Sequence, residues 1–359
     1  MNLSKKTISF PELGNYYIPI NYLLSHVTDL EVVKSPNITD KTIELGMKYS
    51  PDYVCTPFKY NLGNFIECLE NGADILIQAG GGCRFGYYNE VQKEILKNLG
   101  YKFDFYALTD DDVNGINSIY NTLKKLNPKL NYIKYIYHLY ITFRMINYMD
   151  KIDIYIRKNI GFEINKGSFD RVYESMKKEL SNVKGLFKLR RLYKRYIKKF
   201  KNIKIDKPKN PIKVGIIGEL YTSMEPFSNY FLEKELAKMN IEITRFTDAT
   251  YLLFTKRFSE KKLLKEAGDY CKYNIGADGL ENVARTKMLI NNKYDGILHV
   301  KPFGCTPEIG AMKMIQNVCN DYNMPIMFLT FDGQTSELGI KTRLEAFYDM
   351  LKMRRDNDE

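Results

Sequence analysis

The chain has 359 residues, 44% hydrophobic and 27% charged, with a formal net charge of +11. That is enough length for two or three domains and enough apolar content for sizeable cores. No run of eighteen or more apolar residues occurs, which excludes a membrane-spanning helix of the usual kind. The opening Met1–Phe10 lacks the apolar core and small-residue cleavage site of a secretion signal, so a soluble cytoplasmic protein is expected.

The positive charge is local. Residues 121–205 hold 22 Lys and Arg against 6 Asp and Glu, a net of +16, whereas the remainder holds 32 against 37, a net of −5.

In chain order, Thr7–Phe10 reads as a strand, Asn15–Leu30 as a helix, Glu31–Lys34 as a strand and Asp40–Tyr49 as a helix. A short extended stretch is expected up to Val54, then a helix to about Glu70. Asp74–Gln78 is a buried strand, Tyr87–Leu99 a helix stopped by Gly100, and Lys102–Ala107 a further strand. Residues 111–211 read differently. Tyr132–Tyr148 is apolar around most of its circumference. Leu189, Leu192, Tyr193, Tyr196, Ile197 and Phe200 recur at helical steps, with Arg and Lys between them as a wet face. The aromatics of that helix fall on its apolar stripe, which argues for packing and against a nucleic-acid partner. Lys207–Pro211 breaks the helix and serves as a linker.

The alternation then returns. Strands are expected at Lys213–Ile217, Glu242–Arg245, Asp295–Val300 and Pro325–Thr330. Helices are expected at Glu225–Lys238, Glu260–Tyr273, Leu280–Asn291, Pro307–Tyr322 and Ile340–Met353. Strands alternating with helices imply parallel sheets covered on both faces. The expected fold is therefore α/β: two Rossmann-like doubly wound domains, over 1–110 and 212–359, with a basic helical insertion and linker over 111–211 between them. Gly215-Ile216-Ile217-Gly218 lacks the third glycine of a dinucleotide fingerprint and reads as a tight strand-to-helix turn.

Six cysteines occur, at 55, 68, 83, 271, 305 and 319, with no C-x-x-C pair. In a reducing cytosol they are core residues, metal ligands or reactive thiols. Cys68 and Cys319 lie in mid-helix and read as core. Cys271, near a helix end, is a candidate extra ligand with a core role favoured. Cys55, Cys83 and Cys305 share a different context. Each is expected just past the carboxyl end of a strand and at the start of a helix, the edge where doubly wound sheets bind ligands. Helix N-termini there stabilise thiolates and the anionic sulfides of a cluster. Cys-Thr-Pro occurs twice, at Cys55–Pro57 and Cys305–Pro307, which suits a first helical turn.

Cys55–Lys59, Gly82–Glu90 and Lys301–Glu308 resemble motifs of the 2-hydroxyacyl-CoA dehydratase superfamily, in particular its activase-associated ("CoA protein activase") branch related to double-cubane cluster proteins. Gly218–Tyr221, Glu225-Pro226-Phe227 with Asn229, Phe331–Ser336 and Thr342–Phe347 are similar to the same branch. The resemblance covers both α/β halves and not the helical middle. It implies one [4Fe–4S] cluster per subunit, single or as a sulfide-bridged double cubane, held by Cys55, Cys83 and Cys305. It also implies a separate ATP-hydrolysing iron–sulfur activator protein as electron donor, a small-molecule or CoA-thioester substrate, and pairing with itself or a related subunit. No G-x-x-x-x-G-K-[ST] motif occurs, so the activator is expected on another polypeptide. Where the family has Gly-Pro before the second cysteine, this chain has Gly81-Gly82.

Glu219, Glu225 and Glu308 are candidates for proton transfer or substrate binding, with helix-start capping the simpler role. Arg84 and Lys301, beside the cysteines, would ease the negative charge of a cluster. The functions consistent with these residues are an ATP-dependent low-potential reductase, a subunit of a 2-hydroxyacyl-CoA dehydratase, a non-catalytic electron carrier, and a cluster-free binding protein.

Overall fold

A computed structural model of the chain describes residues 6–80, 83–108 and 115–358. It divides into two units, residues 1–146 and 147–359.

The first unit begins with β1 (Thr7–Ser9), α1 (Tyr17–Val27) and β2 (Glu31–Val32). It continues through α2 (Asp40–Tyr49), α3 (Thr56–Glu70), β3 (Ile75–Gln78), α4 (Tyr88–Asn98) and β4 (Asp104–Ala107). All pairings are parallel and the strand order is β2-β1-β3-β4. Alternation along β3 shows how its continuous apolar run is used. Ile75 and Ile77 enter a core with Leu24, Val27 and Leu123, while Leu76 enters another with Phe58, Leu62 and Leu96. A strand buried on both faces needs no polar residues between apolar ones, and each large side chain so removed from water contributes roughly 1.5–3 kcal/mol. Helix α5 (Gly115–Leu126) and the beginning of α6 (Tyr132–Asn159) complete the first of these cores.

Helices α2 and α3 cross at two glycines. A methyl group on Gly46 would fall 1.9 Å from the Lys59 carbonyl oxygen, and one on Gly63 would fall 1.8 Å from that of Thr42. Backbones can approach this closely only without Cβ atoms.

The second unit takes the rest of α6, then α7 (Ser168–Leu180) and α8 (Leu186–Lys201). On α8, Leu189, Leu192, Tyr196 and Phe200 are buried, and Tyr193 stacks on Tyr148 with centroids 4.1 Å apart. The Lys and Arg side chains between them face water, as the helical spacing predicts. The helical segment is thus shared between the units; the residues around 110, where the first boundary is expected, lie outside those described.

The second sheet is built from β5 (Lys213–Gly218), β6 (Glu242–Arg245), β7 (Gly296–Pro302) and β8 (Ile326–Phe331). Its order, β6-β5-β7-β8, is that of the first sheet, and it is again wholly parallel. Val214, Ile216, Leu298 and Val300 face α10 (Leu232–Lys238) and α14 (Glu337–Asp358). Ile217 and Ile297 face α11 (Lys256–Ala267), α12 (Gly279–Asn291) and α13 (Thr306–Asp321). The expected two α/β sheet domains are therefore present. None of the described helices is long and apolar enough to cross a membrane.

Three local expectations are corrected. The residues before Cys55 form a turn and not a strand. The helix expected over Glu225–Lys238 is broken: α9 (Leu220–Met224) and a 3-10 turn at Phe227–Asn229 precede α10. Tyr230 and Phe231 there are left-handed, with φ of 53° and 55°. Asn229 holds the break, donating to the Thr222 carbonyl at 2.7 Å and accepting from the Leu232 N–H at 3.0 Å. Lastly, a π-helical turn, Tyr251–Thr255, leads into α11, whose start lies before the expected Glu260.

Candidate functional site

Each of the three singled-out cysteines is the N-cap of a helix. Cys55 caps α3, Cys83 caps the 3-10 turn Arg84–Tyr87 that leads into α4, and Cys305 caps α13. Pro57 and Pro307 lie in the first turns of their helices, where a missing N–H costs nothing. The Cys55 and Cys305 carbonyls accept the first N–H bonds, from Phe58 and Ile309, both at 3.0 Å. An N-cap thiol faces unsatisfied N–H groups and the positive end of the helix dipole, an environment that favours thiolate.

Cys83 and Cys305 are topological equivalents. Each follows the third strand of a sheet with the same order, at the point where successive strands turn from one side of the first strand to the other. That switch point is the ligand-binding edge of doubly wound folds. Cys55 reaches its position differently, at the head of the second helix of the α2–α3 pair.

Within the first unit, Tyr88 relates the two cysteines. Its hydroxyl lies 3.2 Å from the Cys55 sulfur, and its ring packs edge-on against Phe58 and 5.6 Å from Phe85. Burial and the neighbouring Cys55 thiol raise the Tyr88 pKa well above the usual phenol value, so this hydroxyl stays protonated. Cys83 is exposed, and its sulfur accepts from the Phe85 N–H at 3.4 Å. Arg84 is exposed beside it, and Gly81-Gly82 lies outside the described residues.

In the second unit Cys305 is 8% exposed. Lys301, on β7, is 6% exposed; burial lowers its pKa, and the nearby Cys305 thiol and Glu308 oppose that shift. Gly304 before the cysteine is left-handed at φ 80°, a conformation glycine adopts freely. Beneath this turn lies a polar network with no solvent contact. Glu308 accepts both its bonds from the Asn282 amide, at 2.9 and 3.0 Å, and lies 2.6 Å from His299 Nε2. Asn282 in turn accepts from the Gly218 N–H at 3.1 Å. All three side chains are 0% exposed.

The candidate carboxylates separate accordingly. Glu308 is buried and engaged by Asn282 and His299, so it anchors the first turn of α13. Glu225, also buried, accepts from the Phe227 N–H in the turn after α9. Glu219 is the N-cap of α9, accepting from Tyr221 and Thr222 N–H at 2.9 and 2.8 Å. Burial, reinforced by Asp278, raises its pKa to about 7 against those bonds. A carboxyl raised in this way suits proton exchange near neutrality. Its own N–H donates to Val300 at 2.9 Å, so it stands beside the strand that leads to Lys301 and Cys305. Asp278 is held by Lys256 at 2.6 Å, and Lys256 also reaches Glu281 at 3.1 Å.

Cys68, Cys271 and Cys319 are buried in apolar clusters, and burial raises the Cys68 and Cys319 pKa values to about 11 and about 12. Among the described residues no group of three or more His, Cys, Asp or Glu side chains forms a metal-binding cluster. Sequence spacing does not point to Tyr88, Asn282 or His299. The one signal for His299 is that it interrupts an otherwise apolar strand, Gly-Ile-Leu-His-Val.

Residues 220–351 match the family model for 2-hydroxyglutaryl-CoA dehydratase, D-component, a span that runs from the start of α9 into α14 and includes Cys305. No curated protein matches the chain. Over this span the chain is similar to the 2-hydroxyacyl-CoA dehydratase superfamily.

Proposed function

We propose that the chain is a cluster-carrying subunit of the activase-associated, double-cubane-related branch of this superfamily. In this proposal Cys55, Cys83 and Cys305 hold a [4Fe–4S]-type cluster, single or sulfide-bridged. The protein takes an electron from a separate ATP-hydrolysing iron–sulfur activator and passes it to a bound small molecule or CoA thioester. The supporting observation is that all three cysteines are helix N-caps and that two of them end the same strand of two like-ordered sheets. Three soft thiolate donors at positive helix ends suit iron–sulfur ligation.

When bound, the cluster would supply one-electron chemistry at low potential. The chain's own residues do the rest. Lys301 brings a buried positive charge to the Cys305 side. The Tyr88 hydroxyl orients the Cys55 sulfur. Glu219 holds or releases a proton at the carboxyl end of β5. The match to the D-component favours a second, narrower possibility, dehydration of a 2-hydroxyacyl-CoA in a two-subunit enzyme.

Anaerobic purification, iron and sulfide analysis and an absorption spectrum test the proposal on wild type and on Cys55→Ala, Cys83→Ala and Cys305→Ala. About four irons per chain, lost in each variant, is the expected result, and about eight would indicate the bridged form. A wild type that stays colourless after reconstitution overturns it. Binding of a CoA thioester by the loaded protein separates the dehydratase from a reductase acting on another small molecule.

A further inference from the structure

One buried arginine of the second unit has no carboxylate partner among the described residues. Arg285, on α12, is 2% exposed. Its Nη1 donates to the Thr247 hydroxyl at 2.7 Å, while Nη2 is buried with no hydrogen-bond partner among the described residues. Two other buried or nearly buried arginines of this unit, Arg157 and Arg245, share the Glu233 carboxylate at 4.0 and 3.0 Å. No carboxylate oxygen of a described residue lies within 4.0 Å of Arg285. Glu281, one helical turn before it, is held instead by Lys256.

Burying an unpaired charge is strongly unfavourable. Two aromatic rings offset part of that: the Arg285 guanidinium lies 4.5 Å from the Tyr251 ring centre and 5.7 Å from that of Phe246. Cation–π contacts of this kind are attractive but satisfy no N–H. We propose that Arg285 is the centre of an oxyanion-binding site in the second unit, formed with the Thr247 hydroxyl and roofed by Tyr251. The ligand is a carboxylate or phosphate group, free or carried on a larger molecule.

The surroundings suit that role. Thr247 follows β6 at the carboxyl edge of the sheet, the side on which these folds bind ligands. Its hydroxyl accepts from Arg285 and keeps its own proton to donate. Tyr251 opens the π-helical turn, a wide and irregular form concentrated at functional positions. Leu253, Phe254 and Thr255 of that turn are exposed, so the roof is one short segment and not a packed helix. None of these residues belongs to the cysteine site, so the proposal stands or falls apart from the cluster.

Equilibrium dialysis of radiolabelled inorganic phosphate against the full chain, at ionic strength matched with chloride, tests it. Acetate and adenosine monophosphate are run as competitors, and melting temperature is recorded in parallel. The expected result is one phosphate per wild-type chain with a melting point raised by a few degrees. Arg285→Met should lose both effects while melting in chloride no lower than wild type, because it removes a buried charge that lacks its partner. Arg285→Lys, a point charge without the planar fork, should bind at least fivefold more weakly. Stronger competition by acetate would name a carboxylate ligand, and stronger competition by adenosine monophosphate a phosphate ester; either supports the site. A wild type that binds none of the three, or an Arg285→Met that binds phosphate as wild type does, overturns it. If Arg285→Met fails to fold, the Arg285→Lys comparison decides, and equal binding by that variant overturns the proposal.

Discussion

The two sheets have the same strand order, yet they secure their cysteine-bearing turns by different means. In the first unit the support next to the cysteine is apolar and steric, with the buried polar bonds, such as Thr42 to Glu67 at 2.7 Å, lying farther along α3. Cys55 heads a helix locked against α2 through Gly46 and Gly63, and its sulfur meets an aromatic group of Phe58, Phe85 and Tyr88. The buried polar contact in α4 is one neutral bond, from Gln92 to the Phe58 carbonyl at 3.1 Å. In the second unit the support is polar, and the first turn of α13 rests on Glu308, Asn282 and His299. The difference teaches that one topology fixes where a ligand site lies without fixing how the site is stiffened.

Substitutions at these supports put the contrast to the test. Glu308→Leu should destabilise the protein by about 3–5 kcal/mol, because it leaves His299 and Asn282 buried without their partner. Gln92→Leu should cost only about 1 kcal/mol. Urea unfolding measures both, and equal losses would erase the distinction. Backbone crowding should fall between these two. Gly63→Ala should cost roughly 1–3 kcal/mol, since its methyl group would meet the Thr42 backbone. Gly310→Ala in α13, where a methyl group meets nothing within 4 Å, should gain about 0.5–1 kcal/mol.

The mildest test uses pH, and the units should respond with opposite sign. In the first unit burial, then the adjacent His26, lowers the His138 pKa to about 4 from 6.5. The folded state there favours the neutral ring, so stability is lost as pH falls from 6.5 through 4. In the second unit the Glu219 pKa is raised to about 7 from 4.5, so the folded state favours the protonated acid and stability is lost as pH rises from 4.5 through 7. Hydrogen exchange resolved by peptide, corrected for intrinsic rates, should show the first unit loosening toward acid. It should show the second loosening toward neutrality, a trend that Glu219→Gln flattens. The same pH trend in both units would contradict these assignments.

Much of this architecture is legible in the sequence, for identifiable reasons. β3, β5 and β7 are short apolar runs between helical periods, and Glu242–Arg245 falls where it is expected. The N-cap positions of Cys55 and Cys305 follow from the proline after each, and the core roles of Cys68 and Cys319 from their mid-helix places. What sequence does not reveal depends on tertiary partners. Tyr230 and Phe231 have no local reason to be left-handed; Asn229, bonding to both sides of the break, imposes it. The turn before Cys55 carries β-like residues, but the glycine-locked helix pair leaves no strand to pair with them. His299, Asn282 and Glu308 lie on three different elements and become a unit only when β7, α12 and α13 pack. Arg285 looks like any arginine on a helix until Tyr251 and Phe246 enclose it.

The Asn282 amide also has a mechanical consequence. Its oxygen takes the last N–H of β5 and its nitrogen holds Glu308, so two loops that begin one residue beyond β5 and three residues before Glu308 hang from the same group. A polar path with links of about 3 Å therefore joins the Cys305 turn to the point where Glu219 begins, alongside the apolar packing of α12 against α13. The two loops are thus tied to one side chain, so that a change at Asn282 would loosen both together.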